Sequence, residues 1–176
     1  MIRGDKKNNR ISMNIWNKKS PAFTLVEIIV ILFIISVGLI GVLSLVIQNI
    51  QSQVINKNSI VAYQLAQEGI ELTRKTRDTN WINANSWNQG LADGDYFMDY
   101  LDETPQALVS GSSAQLYKDN NDYYVHEAGG VLTNFSRTIK LTSVSANSMS
   151  VLVNVSWSNR NKNFDYSLET RLYDWY

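Results

Sequence analysis

Glu27 stands at the head of twenty residues, Ile28 to Ile47, that carry no charge. A carboxylate inside a bilayer costs about 3 kcal/mol on insertion scales, so it needs a neutralising partner. The residues just before it can supply one. Cleavage between Ala22 and Phe23 would make Phe23 a new N-terminus, with a free amine one helical turn from the Glu27 carboxylate. The amine of a neighbouring copy would then pair with Glu27. The acid would set the register of helices stacked side by side in a dry bundle.

The run Lys18-Lys19-Ser20-Pro21-Ala22-Phe23-Thr24-Leu25-Val26-Glu27 resembles the prepilin cleavage and methylation motif of type IV pilins and the related pseudopilins. The resemblance is strong over residues 18–50. It implies that a prepilin peptidase/methyltransferase cuts before Phe23 and N-methylates it, and that Glu27 neutralises the N-terminus of an adjacent subunit during assembly. The family usually has Gly before the cut. Ala22 is the smallest substitute for it, which implies slower processing rather than none.

Other residues that could do chemistry have simpler readings. Asp93, Asp95, Asp99, Asp102 and Glu103 form an acidic cluster. Ca²⁺ takes six to eight oxygen ligands, but the spacing matches no EF-hand loop, and these are expected to be solvated turn acids, as are Asp119 and Asp122. No metal and no cofactor are expected. His126 is the only histidine; no G-x-S-x-G or H-E-x-x-H motif accompanies it, so a turn or sheet-edge role is expected and an enzyme is not. Arg74, Lys75 and Arg77 suit the C-terminal dipole of a helix. Asn134-Phe135-Ser136 and Asn154-Val155-Ser156 fit the glycosylation pattern, and chance explains both. With no cysteine, disulfides, a thiolate nucleophile and a Cys-ligated zinc are excluded.

Charge divides the chain. Residues 1–22 hold six basic residues against Asp5 alone, a net of +5, and the remainder holds ten basic and fifteen acidic residues, a net of −5. A basic stub before an apolar run reads as a cytoplasmic flank under the positive-inside rule. The acidic remainder argues against nucleic acid as a partner. A cleaved secretory signal would have an apolar core of about 7–15 residues and an A-x-A-like site; this run is longer and ends in Gln48-Asn49-Ile50-Gln51. Twenty residues at 1.5 Å span about 30 Å, the hydrocarbon thickness. The expected location is the cytoplasmic membrane, single-pass with the N-terminus inside, and after assembly an extracellular or periplasmic filament.

The elements that position these residues follow from periodicity. Leu43, Ile47, Ile50, Val54, Val61, Leu65 and Leu72 recur at helical spacing and predict one apolar stripe. No proline occurs between Pro21 and Pro105, so one helix is expected from about Thr24 to about Arg77, stopping at Asp78-Thr79-Asn80. Glu71–Lys75 and Arg74–Asp78 are spaced for i,i+4 pairs. Gly38 and Gly41 in the apolar half suit close helix packing in lipid. Toward the C-terminus, residues 138–142, 149–157 and 164–172 alternate apolar and polar with period two, and turn-like separators join them into an antiparallel meander. Gly94 to Tyr100 is a further candidate strand, and Lys118-Asp119-Asn120-Asn121-Asp122 a hairpin turn.

The expected fold is α+β and pilin-like: a long N-terminal helix, membrane-spanning in its first half, packed on a C-terminal antiparallel sheet. The expected division is a leader over 1–22, the helix over 23–80 with its span at 28–47, a variable region over 81–135 and the meander over 136–176. The resemblance implies a structural subunit, with other pilin or pseudopilin subunits and, before assembly, the lipid bilayer as partners. The aromatic end, Tyr173, Trp175 and Tyr176, looks like that of minor pilins. A pseudopilin of a type II secretion system shares every N-terminal feature. A membrane-anchored adhesive or ligand-binding domain is the alternative of another class.

Overall fold

A computed structural model describes residues 22–109, 114–127 and 129–175. The expected leader lies outside the described residues except for Ala22. The chain divides into two compact units, Met1–Ile47 and Gln48–Tyr176. One helix, α1 (Leu25–Ile82), contributes to both.

In the first unit α1 starts sharply. Thr24 is its N-cap: its hydroxyl oxygen accepts the Glu27 amide at 3.2 Å and its carbonyl accepts the Ile28 amide at 3.2 Å. Thr24-x-x-Glu27 is a capping-box sequence, and Glu27 lies in the first turn, where a carboxylate suits the helix dipole. Every large apolar side chain from Ile28 to Ile47 is exposed, by 42–68 %. Burying each is worth about 1.5–3 kcal/mol, so this face requires lipid or other protein around it. The Ser36 and Ser44 hydroxyls donate back to the carbonyls of Leu32 and Ile40, at 2.7 and 3.0 Å. The polar groups of the span are thus satisfied within the helix, as a hydrocarbon environment demands.

In the second unit α1 packs on an antiparallel sheet of seven strands: β1 (Gly94–Phe97), β2 (Gln106–Ala107), β3 (Gln115–Lys118), β4 (Tyr124–Val125), β5 (Val131–Ser145), β6 (Ser148–Asn159) and β7 (Lys162–Tyr173). The expected meander is β5–β6–β7, with strands longer than the alternation alone delimits. Its second turn, Arg160-Asn161, joins the paired residues Asn159 and Lys162. Both turn residues have positive φ, 48° and 61°, as a two-residue type I′ hairpin requires. The other edge of β5 is shared. β3 pairs with it over Val131–Ser136 and β1 over Ile139–Leu141, so the two short strands meet end to end at Arg137.

The helix face turned to the sheet follows the expected stripe only in part: Val61, Leu65 and Leu72 meet the core. Leu65 and Leu72 are buried, but Val61 is half-buried and Ile50 and Val54 are exposed. The buried face adds Ala62, Ala66, Gly69, Ile70, Thr73, Thr76, Arg77 and Asn80 to Leu65 and Leu72, and is rich in small residues. The reason is close approach: a Cβ on Gly69 would stand 3.0 Å from Val153 Cγ1 and 3.6 Å from Arg137 Cδ. Larger side chains would hold the helix off Ile139, Leu141, Val151, Val153 and Val155, which close the core.

The helix runs to Ile82, beyond the expected stop. Its end is a Schellman motif: the Asn85 amide donates to the Asn80 carbonyl and the Ala84 amide to that of Trp81, with Ala84 left-handed at φ 54°. The Asn80 side chain then ties the following loop through the carbonyls of Trp87 and Gln89, at 3.1 and 2.8 Å. The i,i+4 ion pairs are replaced by nearer ones. Arg74 meets Glu71 at 2.5 Å, and Arg77 meets Asp78 at 2.7 Å. The architecture is the α+β, pilin-like one expected from the sequence.

Candidate functional site

The N-terminal constellation has a simple geometry. Ala22 and Phe23 are exposed and precede the helix, Thr24 caps it, and Glu27 is exposed in its first turn. A peptide bond just outside a helix, bare of other elements, is one a protease can bind in extended form. A helix that begins at Leu25 would leave an amine at Phe23, were the chain cut there, free of intrahelical bonding. A Cβ on Gly38 or Gly41 would meet none of the described residues within 4 Å. Among the described residues, nothing packs against these two glycines, each of which costs about 1 kcal/mol of helix propensity.

A second constellation was not legible in the sequence. Arg137, with its side chain fully buried, donates to the Leu65 carbonyl at 3.2 Å and the Met98 carbonyl at 2.6 Å. Glu68 lies 3.3 Å and Asp99 3.6 Å from its guanidinium. His126, whose side chain is 2 % exposed, faces Asp99 through Nδ1 at 2.6 Å and the Arg137 carbonyl through Nε2 at 3.2 Å, and its amide donates to Asp99 at 2.8 Å. The ring fills the seam where β3 and β1 meet along β5, and substitutes for a strand neighbour. His126 stands in the bend that follows the edge strand β4, as expected, but its ring is buried, and Asp99 is part-buried rather than a solvated acid. The residues that meet here are 11 to 72 positions apart, and only the fold brings them together.

Three further acids accept backbone amides. Asp93 accepts the Ser143 amide and hydroxyl, each at 2.6 Å, and these bonds, the hydroxyl's foremost, hold its carboxyl below the usual range. Asp102 accepts the Asp99 amide at 2.7 Å. At Asp119 burial pushes the carboxyl up, but bonds from the Tyr123 and Asn121 amides and the Tyr100 hydroxyl outweigh it and hold the carboxyl low. Among the described residues no three His, Cys, Asp or Glu side chains are grouped to hold a metal. The expected role of Arg74, Lys75 and Arg77 at the helix C-terminus is not met: α1 runs on to Ile82 with no basic residue in its last turn, and Arg77 is buried over the Trp81 ring, 4.5 Å from its centroid, and bonded to Asp78.

Residues 17–43 match the family model of the prokaryotic N-terminal methylation motif. The chain therefore carries the N-terminal signature of type IV pilins and pseudopilins, ahead of a helix whose apolar half fits a transmembrane anchor. No curated protein and no solved structure matches it.

Proposed function

We propose that this chain is a minor pilin-like subunit of a type IV pilus or related filament. It is made as a prepilin and inserted with residues 1–22 on the cytoplasmic side. A prepilin peptidase/methyltransferase cuts it between Ala22 and Phe23 and methylates Phe23. Glu27 then pairs with the methylated amine of a neighbouring subunit as the helix leaves the membrane for the filament. The observation that carries this reading is the methylation motif at 17–43 joined to a span whose apolar side chains are all exposed. The motif supplies the cut, and the exposure calls for a partner first of lipid and then of protein.

The role as a minor subunit rests on the aromatic residues Tyr173, Trp175 and Tyr176. A type II secretion pseudopilin would undergo the same processing, and the test that separates them is which assembly retains the chain. Recovery in the sheared surface fraction of wild-type cells, and its loss when the pilus assembly ATPase is deleted, supports the pilus. Retention that depends instead on the secretion ATPase supports the pseudopilin. No incorporation into either would leave a membrane-anchored domain.

A further inference from the structure

We propose that the β6–β7 turn and the adjoining part of α1 form a docking surface for an anionic phospholipid bilayer, occupied before the subunit enters a filament. The proposal rests on reading residues 28–47 as a membrane span.

The surface is a hollow of the second unit lined by Ile50, Val54, Ile55, Arg160, Lys162 and Phe164 among others. Its volume of about 140 Å³ is below the roughly 300 Å³ at which small-molecule sites begin, so a soluble ligand is a poor occupant. Its charge is one-sided. Arg160 and Lys162 line it and no acid does, although residues 23–176 carry fifteen acidic residues against ten basic. On α1 itself the only charge between Glu27 and Glu68 is Lys57.

Position supplies the partner. Ile50 is three residues past Ile47, where the apolar run ends, and three residues reach at most about 11 Å. The headgroup layer is about 5–8 Å deep on each side of the hydrocarbon. The covalent link alone keeps the hollow beside the headgroups, with Ile50 and Val54 exposed there by 55 % and 44 %. The turn adds an independent sign. Arg160 holds φ 48° in a hairpin position where Asn or Gly is favoured, so a long cation stands there against the local backbone preference. A lysine or arginine near an anionic surface gains about fivefold in binding, and Ile50, Val54 and Phe164 offer the apolar floor that acyl chains and headgroup carbons can cover.

The test uses the full chain in lipid nanodiscs of phosphatidylcholine, with and without phosphatidylglycerol. The chain has no cysteine, so Asn159→Cys provides a single thiol in the lining of the hollow, and Asn147→Cys a control in the β5–β6 turn, about 40 Å away along the strands. The expected result is that a water-soluble maleimide modifies Asn159→Cys at least about fivefold more slowly in anionic discs, while Asn147→Cys is unchanged. The slowing should vanish near 1 M salt, where the Debye length is about 3 Å, and with Arg160→Asn plus Lys162→Gln, which removes both charges and puts at 160 a residue suited to its φ. Equal rates in the two lipids, in a chain that co-elutes with the discs, overturn the docking surface and leave the membrane span standing. Slowing that follows the number of chains per disc rather than lipid charge overturns it in favour of a second copy. A chain that does not co-elute with the discs overturns the span and the surface together.

Discussion

The Glu27 amide donates to Thr24 Oγ1 at 3.2 Å, so the acid that the sequence sets apart is fixed in the first turn of α1 by the residue that starts the helix. The backbone there is satisfied without the carboxylate. The side chain is exposed and free for a partner on another chain. Removing its charge should therefore act on assembly, and on the helix only by the dipole contribution of about 0.3–1 kcal/mol. Glu27→Gln, which keeps shape and capping capacity, is expected to leave cleavage intact and to lower filament incorporation at least tenfold. Glu27→Ala should do the same. Normal incorporation of either, measured as the ratio of sheared to membrane-bound protein, would show that Glu27 has no pairing role.

Ala22 precedes the proposed cut. Ala22→Gly restores the residue usual in the resembling family and is expected to be processed at least as fast as the native chain in a pulse-chase. Slower conversion would place the cut elsewhere.

Gly69 and Val153 touch so closely that a Cβ on the first would stand 3.0 and 3.2 Å from the methyls of the second. Overpacking of this kind costs about 1–3 kcal/mol, against about 1 kcal/mol gained in helix propensity. Gly69→Ala should be net destabilising by about 1 kcal/mol. Val153→Ala alone should cost about 2 kcal/mol, by the cavity it leaves. The double variant should be more stable than the sum predicts by about 1 kcal/mol, because the truncated valine makes room. Thermal unfolding followed by circular dichroism in detergent reads the cycle, and strict additivity would refute the close contact.

The Arg137–Asp99–His126 cluster is structural and buried, so losing its acid should be costly. Asp99→Ala leaves the His126 amide, the His126 ring and the Arg137 guanidinium short of an acceptor, and the expected loss is about 3 kcal/mol. Glu71→Ala, which breaks the exposed pair with Arg74, should cost less than about 0.5 kcal/mol. Equal effects of the two in the same unfolding experiment would contradict the burial of the cluster.

Asp93 also makes stability depend on pH. Its folded value is lowered by Ser143, so its contribution is fully present above the unfolded carboxylate value near about pH 4 and is lost as pH falls through the lower folded value. Asp119 has the same sign. Ser143→Ala removes the foremost cause at Asp93 and should shallow the loss of stability between about pH 5 and pH 2. An unchanged acid limb would assign that loss to other groups.

What the sequence disclosed was local. The motif around Phe23 and Glu27 is contiguous, the uncharged run is a composition fact, and strands with period two reveal their own inner faces, as Val151, Val153 and Val155 do. What it hid depended on distance along the chain or on which of two adjacent helix faces wins. The apolar stripe through Ile50 and Val54 is the more hydrophobic face, yet the sheet took the face with Ala62, Ala66 and Gly69 because small residues let it come close. Asp99 reads as a turn acid and His126 as a turn histidine until β5 carries Arg137 between them. The signal that could have raised suspicion was Arg137 itself, a charge at an inner position of an alternating strand.

The most direct test is the mass of the N-terminal peptide of the protein recovered from its own cells. A start at Phe23 bearing one added methyl group is the predicted result, and it would establish the cut, the methylation and with them the entry into a pilin-type assembly. An intact Met1 start, or a start beyond Ile47, would contradict prepilin processing, and the pairing role of Glu27 would fall with it.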